Sequence, residues 1–225
     1  RLHGGGEGMK ISLNIFTNST LSAPKTDIIR RTYDSFCDTF GNEYPVTVYC
    51  DPHPNYKQGK YYIEALEKIF PVVIKTDSLS DGYVQAVKNS DADFCMMLEH
   101  DWIFNKLHVT HPLEQICHVM KSEGIYHLRF NKRQNVVQGW DIGLNEKYFR
   151  DDFTHLSYCE TSCLSNNPHL INVKTYREKC LPLLQIKPGS KGIEENLLHV
   201  GLVGAIYGPK DYPATVHHID GRRSR

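Results

Sequence analysis

Glu99, His100 and Asp101 close the apolar run Met96-Met97-Leu98, and their chemistry is the most specific in the chain. A carboxylate just past a buried strand is a good ligand for Mn2+ or Mg2+. These hard ions take oxygen donors and fill the rest of their shell with water and substrate phosphates. Such a metal neutralises a diphosphate and makes it a better leaving group. An acidic surface turn would account for the same triplet, so the three residues alone do not decide. His100 lies between the acids, and in extended backbone it faces the other way; it is read as a supporting residue.

Four further groups carry polar chemistry. Thr17-Asn18-Ser19-Thr20 follows a β-rich run and could hold a nucleobase with its hydroxyl and amide groups, or simply cap the next helix. Lys191-Gly192-Ile193-Glu194-Glu195-Asn196 places two acids at a helix start, where the helix dipole favours them. The same position suits a general base acting on an acceptor hydroxyl. Val216-His217-His218-Ile219-Asp220 offers a metal ligand, although neighbouring histidines rarely serve one ion together. A zinc centre would need three or four well-spaced ligands, and no His-Glu-x-x-His or Cys/His pattern supplies them. Gln138-Gly139-Trp140-Asp141, with His155 and Tyr158, could stack on a sugar or sit in the core.

The elements that must position these groups alternate through the first half. Lys10 to Thr17 reads as a strand, and a helix opened by Pro24 carries Ile28, Ile29, Tyr33 and Phe36 and stops at Gly41-Asn42. Val46 to Cys50 is a second strand ending at Asp51. A helix over Tyr61 to Phe70 precedes the strand Val72-Val73-Ile74, and a helix over Asp81 to Lys88 precedes the buried strand Asp93 to Leu98. Strand–helix repeats of this kind predict a mostly parallel sheet covered by helices on both faces, with ligands bound beyond the carboxyl ends of the strands. Thr17-Asn18, Asp51, Asp77-Ser78 and Glu99-His100-Asp101 would then share one edge. The second half is less regular. Tyr126 to Phe130 reads as a strand and Asn131 to Asp141 as loop. Ser157 to Cys163 and His169 to Val173 are strands or loop pieces. Helices are expected over Tyr176 to Leu184 and over Ile193 to Tyr207, the latter with Leu197, Leu198, Val200 and Val203 inward.

The chain of 225 residues fits one α/β domain, and 40% hydrophobic with 23% charged residues reads as a globular protein. Twenty-six basic residues balance 26 acidic ones, so no net charge points to nucleic acid or an anionic membrane surface. The seven cysteines are odd in number and form no Cys-x-x-Cys, which favours reduced thiols and a cytoplasmic setting. No stretch reaches the ~20 apolar residues of a membrane span. Residues 1–8 are read as an expression leftover, 9–220 as the domain and 221–225 as a tail. No G-x-G-x-x-G follows a strand, and no P-loop motif occurs, which disfavours a dinucleotide-binding Rossmann domain and a P-loop enzyme.

Taken in order, the strand ends, the Asp-x-Asp-like triplet at 99–101, the Gly-x-Glu-Glu motif at 192–195 and the late His217-His218 resemble the GT-A-fold nucleotide-diphosphosugar glycosyltransferases, over roughly Met9 to Asp220. Within that family the chain is similar to the N-terminal glycosyltransferase domain of a chlorovirus protein that decorates capsid glycans. The resemblance implies a metal-dependent inverting transfer from a UDP-sugar, of glucose or rhamnose type, to a glycan hydroxyl, in a host cytoplasm if the protein is viral. Asp101 would hold Mn2+ or Mg2+ on the donor diphosphate, with His217 or His218 on the metal or diphosphate. Thr17, Asn18 and Asp51 would contact uracil and ribose, Asp77 and Ser78 would lie in the next such loop, and Glu99 near the ribose or a metal-bound water. Glu195 would be the general base, with Glu194 as its alternate. Two departures from the family pattern, Glu at 99 and Glu for Asp at 195, change side-chain reach at both positions. A non-catalytic nucleotide- or sugar-binding module and a metal-dependent nucleotidyltransferase are the competing readings. The second would release pyrophosphate instead of nucleoside diphosphate.

Overall fold

In the computed structural model, residues 8–18, 25–52, 56–139, 141, 143–184, 194–197 and 201–219 are described, Tyr56, Glu194 and Glu195 by backbone alone. The first half alternates as β1 (Ile11–Asn18), α1 (Asp27–Phe40), β2 (Val46–Asp51), α2 (Tyr56–Glu67), β3 (Val73–Lys75), α3 (Leu79–Asn89) and β4 (Phe94–Glu99). Each helix returns the chain to the starting edge, so β1 pairs in parallel with β2 and β4, and β2 with β3. In β4, Phe94 to Leu98 are buried without interruption, as a strand covered on both faces requires. Fully burying one such side chain is worth about 1.5–3 kcal/mol.

β5 (Trp102–Phe104), α4 (Leu113–Ser122), β6 (His127–Arg129), β7 (Asn145–Arg150), β8 (His155–Thr161), β9 (His169–Asn172), α5 (Val173–Lys179), α6 (Glu194–Leu197), β10 (Gly204–Tyr207) and β11 (Val216–His218) follow. The central sheet has nine strands in the order β3-β2-β1-β4-β9-β6-β10-β8-β7. β9 runs against β4 and β6, and β8 against β10 and β7, so the far half is mixed where the first half is parallel. β5 and β11 form a separate antiparallel pair.

Helices cover both faces, as the alternation predicts. Ile29 and Phe36 of α1, Leu66 of α2 and Ile116 of α4 pack on one face with Leu13, Val48, Met96 and Leu98. Tyr83 and Val87 of α3, Tyr176 of α5 and Leu197 of α6 pack on the other with Phe16, Tyr49 and Met97. Among the described residues no helix is long and apolar enough to cross a membrane.

Three expectations are corrected. Of the long helix expected over Ile193 to Tyr207, the described residues show one turn, Glu194–Leu197, and residues 204–207 are instead β10, a fully buried strand between β6 and β8. Gly201 takes φ +71, a left-handed conformation that does not continue a helix. Val203, expected inward, is exposed, whereas Leu197 is buried as expected; Leu198 and Val200 lie outside the described residues. The helix expected over Tyr176 to Leu184 begins at Val173, ends at Lys179 and gives way to a 3-10 turn, Leu181–Leu183, where Pro182 is accommodated. β7 and the β5–β11 pair lie where no strand was expected.

Candidate active site at the carboxyl edge of the sheet

Because β3, β2, β1 and β4 are adjacent and parallel, their carboxyl ends open on one edge. A narrow cleft there is lined by Thr17, Asn18, Asp51, Ser78, Glu99 and His100. It adjoins a cavity of about 550 Å3 that shares Asp51 and is bounded by Asp77, Thr76, Lys75 and the Lys60–Glu64 face of α2. That volume lies within the roughly 300–1,000 Å3 range of small-molecule sites. The convergence of Thr17, Asn18, Asp51, Asp77, Ser78 and Glu99 is thus present in the fold.

Each side chain is held in a way that bears on its use. Thr17 is buried, and its hydroxyl is 2.7 Å from the Tyr62 hydroxyl of α2. Ser78 caps α3, its Oγ accepting from the Asp81 amide at 3.1 Å, while the Asp77 amide donates to Asp81 Oδ2 at 3.0 Å. Ser78 therefore acts first as the brace of a helix start. Asp51 is half-buried, and burial, reinforced by the nearby Asp77 carboxylate, raises its pKa. A hydrogen-bond donor or a cation bound at this cleft wall would relieve that penalty on the carboxylate.

The acidic turn after β4 is tied down from two sides. The His100 amide donates to the Phe16 carbonyl at 2.9 Å, and Thr32 of α1 donates its hydroxyl to the His100 carbonyl at 2.6 Å. Residues 100 and 101 form a turn, so strand alternation ends at Glu99 and His100 lines the cleft beside it instead of pointing away. Asp101 is 9% exposed; its Oδ2 lies 3.0 Å from His218 Nε2, and its Oδ1 is buried with no hydrogen-bond partner among the described residues.

β5–β11 pairing sets His218 opposite Trp102 and His217 opposite Ile103. The Ile219 amide donates to the Asp101 carbonyl at 2.7 Å, and the His218 ring packs on Trp102 with centroids 4.6 Å apart. Strand alternation separates the two histidines, and His218 is the one brought to Asp101. Among the described residues no group of three or more His, Cys, Asp and Glu is arranged for a metal. Asp101 and His218 supply two donors, and Asp220 lies outside the described residues. A buried, orphaned carboxylate oxygen beside an imidazole fits a divalent ion whose other ligands are water and phosphate oxygens.

The remaining expectations divide. Glu194 and Glu195 open α6, but their side chains lie outside what is described, as do Ser19, Thr20 and Trp140. Asp141 is buried in an ion pair with Arg129 and accepts from the Thr161 hydroxyl at 2.8 Å, a structural role. Tyr158 is core, donating its hydroxyl to Glu123 at 3.0 Å. Sequence reasoning missed Thr32, Tyr62 and Trp102. Thr32 interrupts the apolar stripe of α1 between Ile29 and Phe36, a pattern that marks a buried polar group with a job.

No protein-family model matches the chain, and no curated protein matches it in sequence. Among solved structures it is similar to S. aureus TarS 1-349 in complex with UDP-GlcNAc, with TM-score 0.59 and 13% identity over 96% of this chain and 60% of that one. It is similar to GalNAc-T7 with UDP, GalNAc and Mn2+, with TM-score 0.59 and 13% identity over 95% and 44%. S. aureus TarS gives TM-score 0.53 and 15% identity over 94% and 37%. The chain therefore has the fold of the GT-A glycosyltransferases and spans between 37% and 60% of those structures' lengths.

Proposed function

We propose that this chain is a glycosyltransferase that moves a hexose from a UDP-sugar to a glycan hydroxyl with inversion, using Mn2+ or Mg2+. The observation that carries the reading is Asp101. Its carboxylate sits in the turn just past the buried strand β4, keeps one oxygen orphaned beside His218, and follows directly on Glu99 and His100, which line the cleft with Thr17, Asn18 and Asp51. The fold shared with structures solved with UDP-GlcNAc and with UDP, GalNAc and Mn2+ supports the same reading.

Asp101 and His218 would hold the metal, which supplies charge neutralisation to the departing diphosphate. Asp51 would accept hydrogen bonds from the nucleoside, with Thr17 and Asn18 at the base and Asp77 and Ser78 bounding the neighbouring loop. Glu99 would orient the ribose or a water. Glu195, or Glu194 in its place, would take the proton from the acceptor hydroxyl, whose oxygen attacks the anomeric carbon on the side opposite the diphosphate. General-base assistance of this kind contributes about 10²–10⁴-fold, and fixing donor and acceptor in line contributes further. A chlorovirus-type capsid glycan is the acceptor class that the sequence resemblance favours.

The test is a panel of UDP-hexoses with an acceptor glycan, with and without Mn2+, scored for released UDP. Metal-dependent UDP release that Asp101→Asn abolishes is the expected result. Undiminished transfer by Asp101→Asn would sink the assignment. Release of pyrophosphate from UTP in place of UDP from a UDP-sugar would make the chain a nucleotidyltransferase.

A further inference from the structure

A second hollow opens on the same edge, at the far side of the sheet, where β10 ends and β8 begins. It measures about 130 Å3 and is lined by His111, His155, Ser157, Tyr207, Pro209 and Tyr212 among others. Its walls are fixed by their own hydrogen bonds. His111 Nδ1 is 2.6 Å from the Tyr207 hydroxyl and its Nε2 is 2.7 Å from the His155 carbonyl. Nε2 donates to that carbonyl, and burial lowers the ring's pKa, favouring the neutral form in which Nδ1 accepts from Tyr207. Tyr212 donates its hydroxyl to the His108 carbonyl at 3.0 Å, which leaves an aromatic face as its contribution. Gly208 takes φ +89, and a Cβ there would lie 2.4 Å from the Tyr212 ring, so glycine is what lets this ring lie against the chain. By contrast, the His155 ring and the Ser157 hydroxyl make no side-chain hydrogen bond to another described residue.

Rigid aromatic walls with a few polar handles recognise a ring that is apolar on its faces and hydroxylated at its rim. At about 130 Å3 the hollow lies well below the roughly 300–1,000 Å3 of whole small-molecule sites, so it can engage at most a single ring and no nucleotide. The place fits as well. β10 lies three strands from β4, about 14 Å at ordinary strand spacing. The stretch from Tyr212 to His218 leads from this hollow to the Asp101 pair.

We infer that this hollow is a subsite for one pyranose ring of the acceptor, away from the reacting hydroxyl, so that the acceptor is a chain of several sugars and not a monosaccharide. The inference rests on the transferase reading. It is tested by NMR of the full chain with glucose, galactose, N-acetylglucosamine, rhamnose and xylose at millimolar concentration, and with UDP and Mn2+ in parallel. At least one pyranose should shift the ring resonances of Tyr212 and His155 saturably. A His155→Ala, Ser157→Ala double variant, which removes no side-chain hydrogen bond to another described residue, should weaken that binding about tenfold or more, and Tyr212→Phe, which keeps the ring, should retain it. Absence of any such shift, or binding undiminished in the double variant, overturns the subsite. UDP binding without sugar binding overturns the subsite and leaves the transferase reading standing. Sugar binding without UDP binding supports a sugar site here and removes the transferase reading.

Discussion

Thr17 and Tyr62 are each almost fully buried and satisfy one another across the β1–α2 boundary. Removing one partner leaves the other hydroxyl buried and unpaired, which costs about 1–3 kcal/mol, whereas removing both is nearly neutral. Thr17→Val and Tyr62→Phe should therefore each lower the urea midpoint, and the double variant should recover most of the loss. At the proposed metal pair, His218→Ala should weaken Mn2+-dependent UDP binding in calorimetry more than His217→Ala does, because His218 is the histidine at Asp101. An equal effect of both would break the assignment. The two histidines were indistinguishable in the sequence because their difference is one of register, set by pairing with a strand more than a hundred residues away. Asp51 and the acidic turn at 99–101 were legible for the opposite reason: each directly follows an apolar run, and that pattern is local.

Among the elements, α3 shows how a helix is fitted to the site. Gly82 sits where a Cβ would come within 3.2 Å of the Phe16 ring and 3.3 Å of Tyr49 Cβ. The Phe16 ring is stacked between Tyr49 and Tyr83 and has little room to yield. Alanine gains about 1 kcal/mol of helix propensity over glycine. Here Gly82→Ala should nevertheless lower the melting temperature, since α3 must move off the sheet and take the Ser78 cap with it; a rise would show that the ring yields. The β1–β4 half of the fold was readable because its strands are long apolar runs and its partners are neighbours in the chain. The β10 strand was not. Its four residues are fewer than the usual strand length, its partners β6 and β8 lie far back in the chain, and a helical spacing of apolar residues precedes it. Gly201 and Gly204 within that spacing were the sign against a helix.

Across the whole molecule, a row of near-parallel rings crosses the sheet: Tyr49, Phe16, Tyr83, His169, His127 and Tyr176. Its two histidines are wholly buried with centroids 4.4 Å apart. Burial, partly opposed by the hydrogen bond to the Asn167 carbonyl, pushes His169 down to about 4. Burial, and then the His169 neighbour, push His127 well below its usual range. In the unfolded chain both titrate near about 6.5. Below that pH the unfolded chain takes up protons that the folded one refuses, so stability is intact above about 6.5 and falls as pH drops toward 4. His169 alone accounts for a loss on the order of 3 kcal/mol at the acid end. Urea unfolding at pH 5 should give a clearly lower midpoint than at neutral pH, and a His127→Phe, His169→Phe variant should flatten the difference. The β5–β11 pairing has a consequence in time. A ribosome adds about 5–20 residues per second, so His218 is made on the order of 10 s after Asp101. A nascent chain can form β1 through β4 and the cleft during that interval while the donor pair is incomplete. Any chemistry that depends on the pair is withheld until β11 has closed on Trp102, so the site reports that the two distant ends of this segment have met.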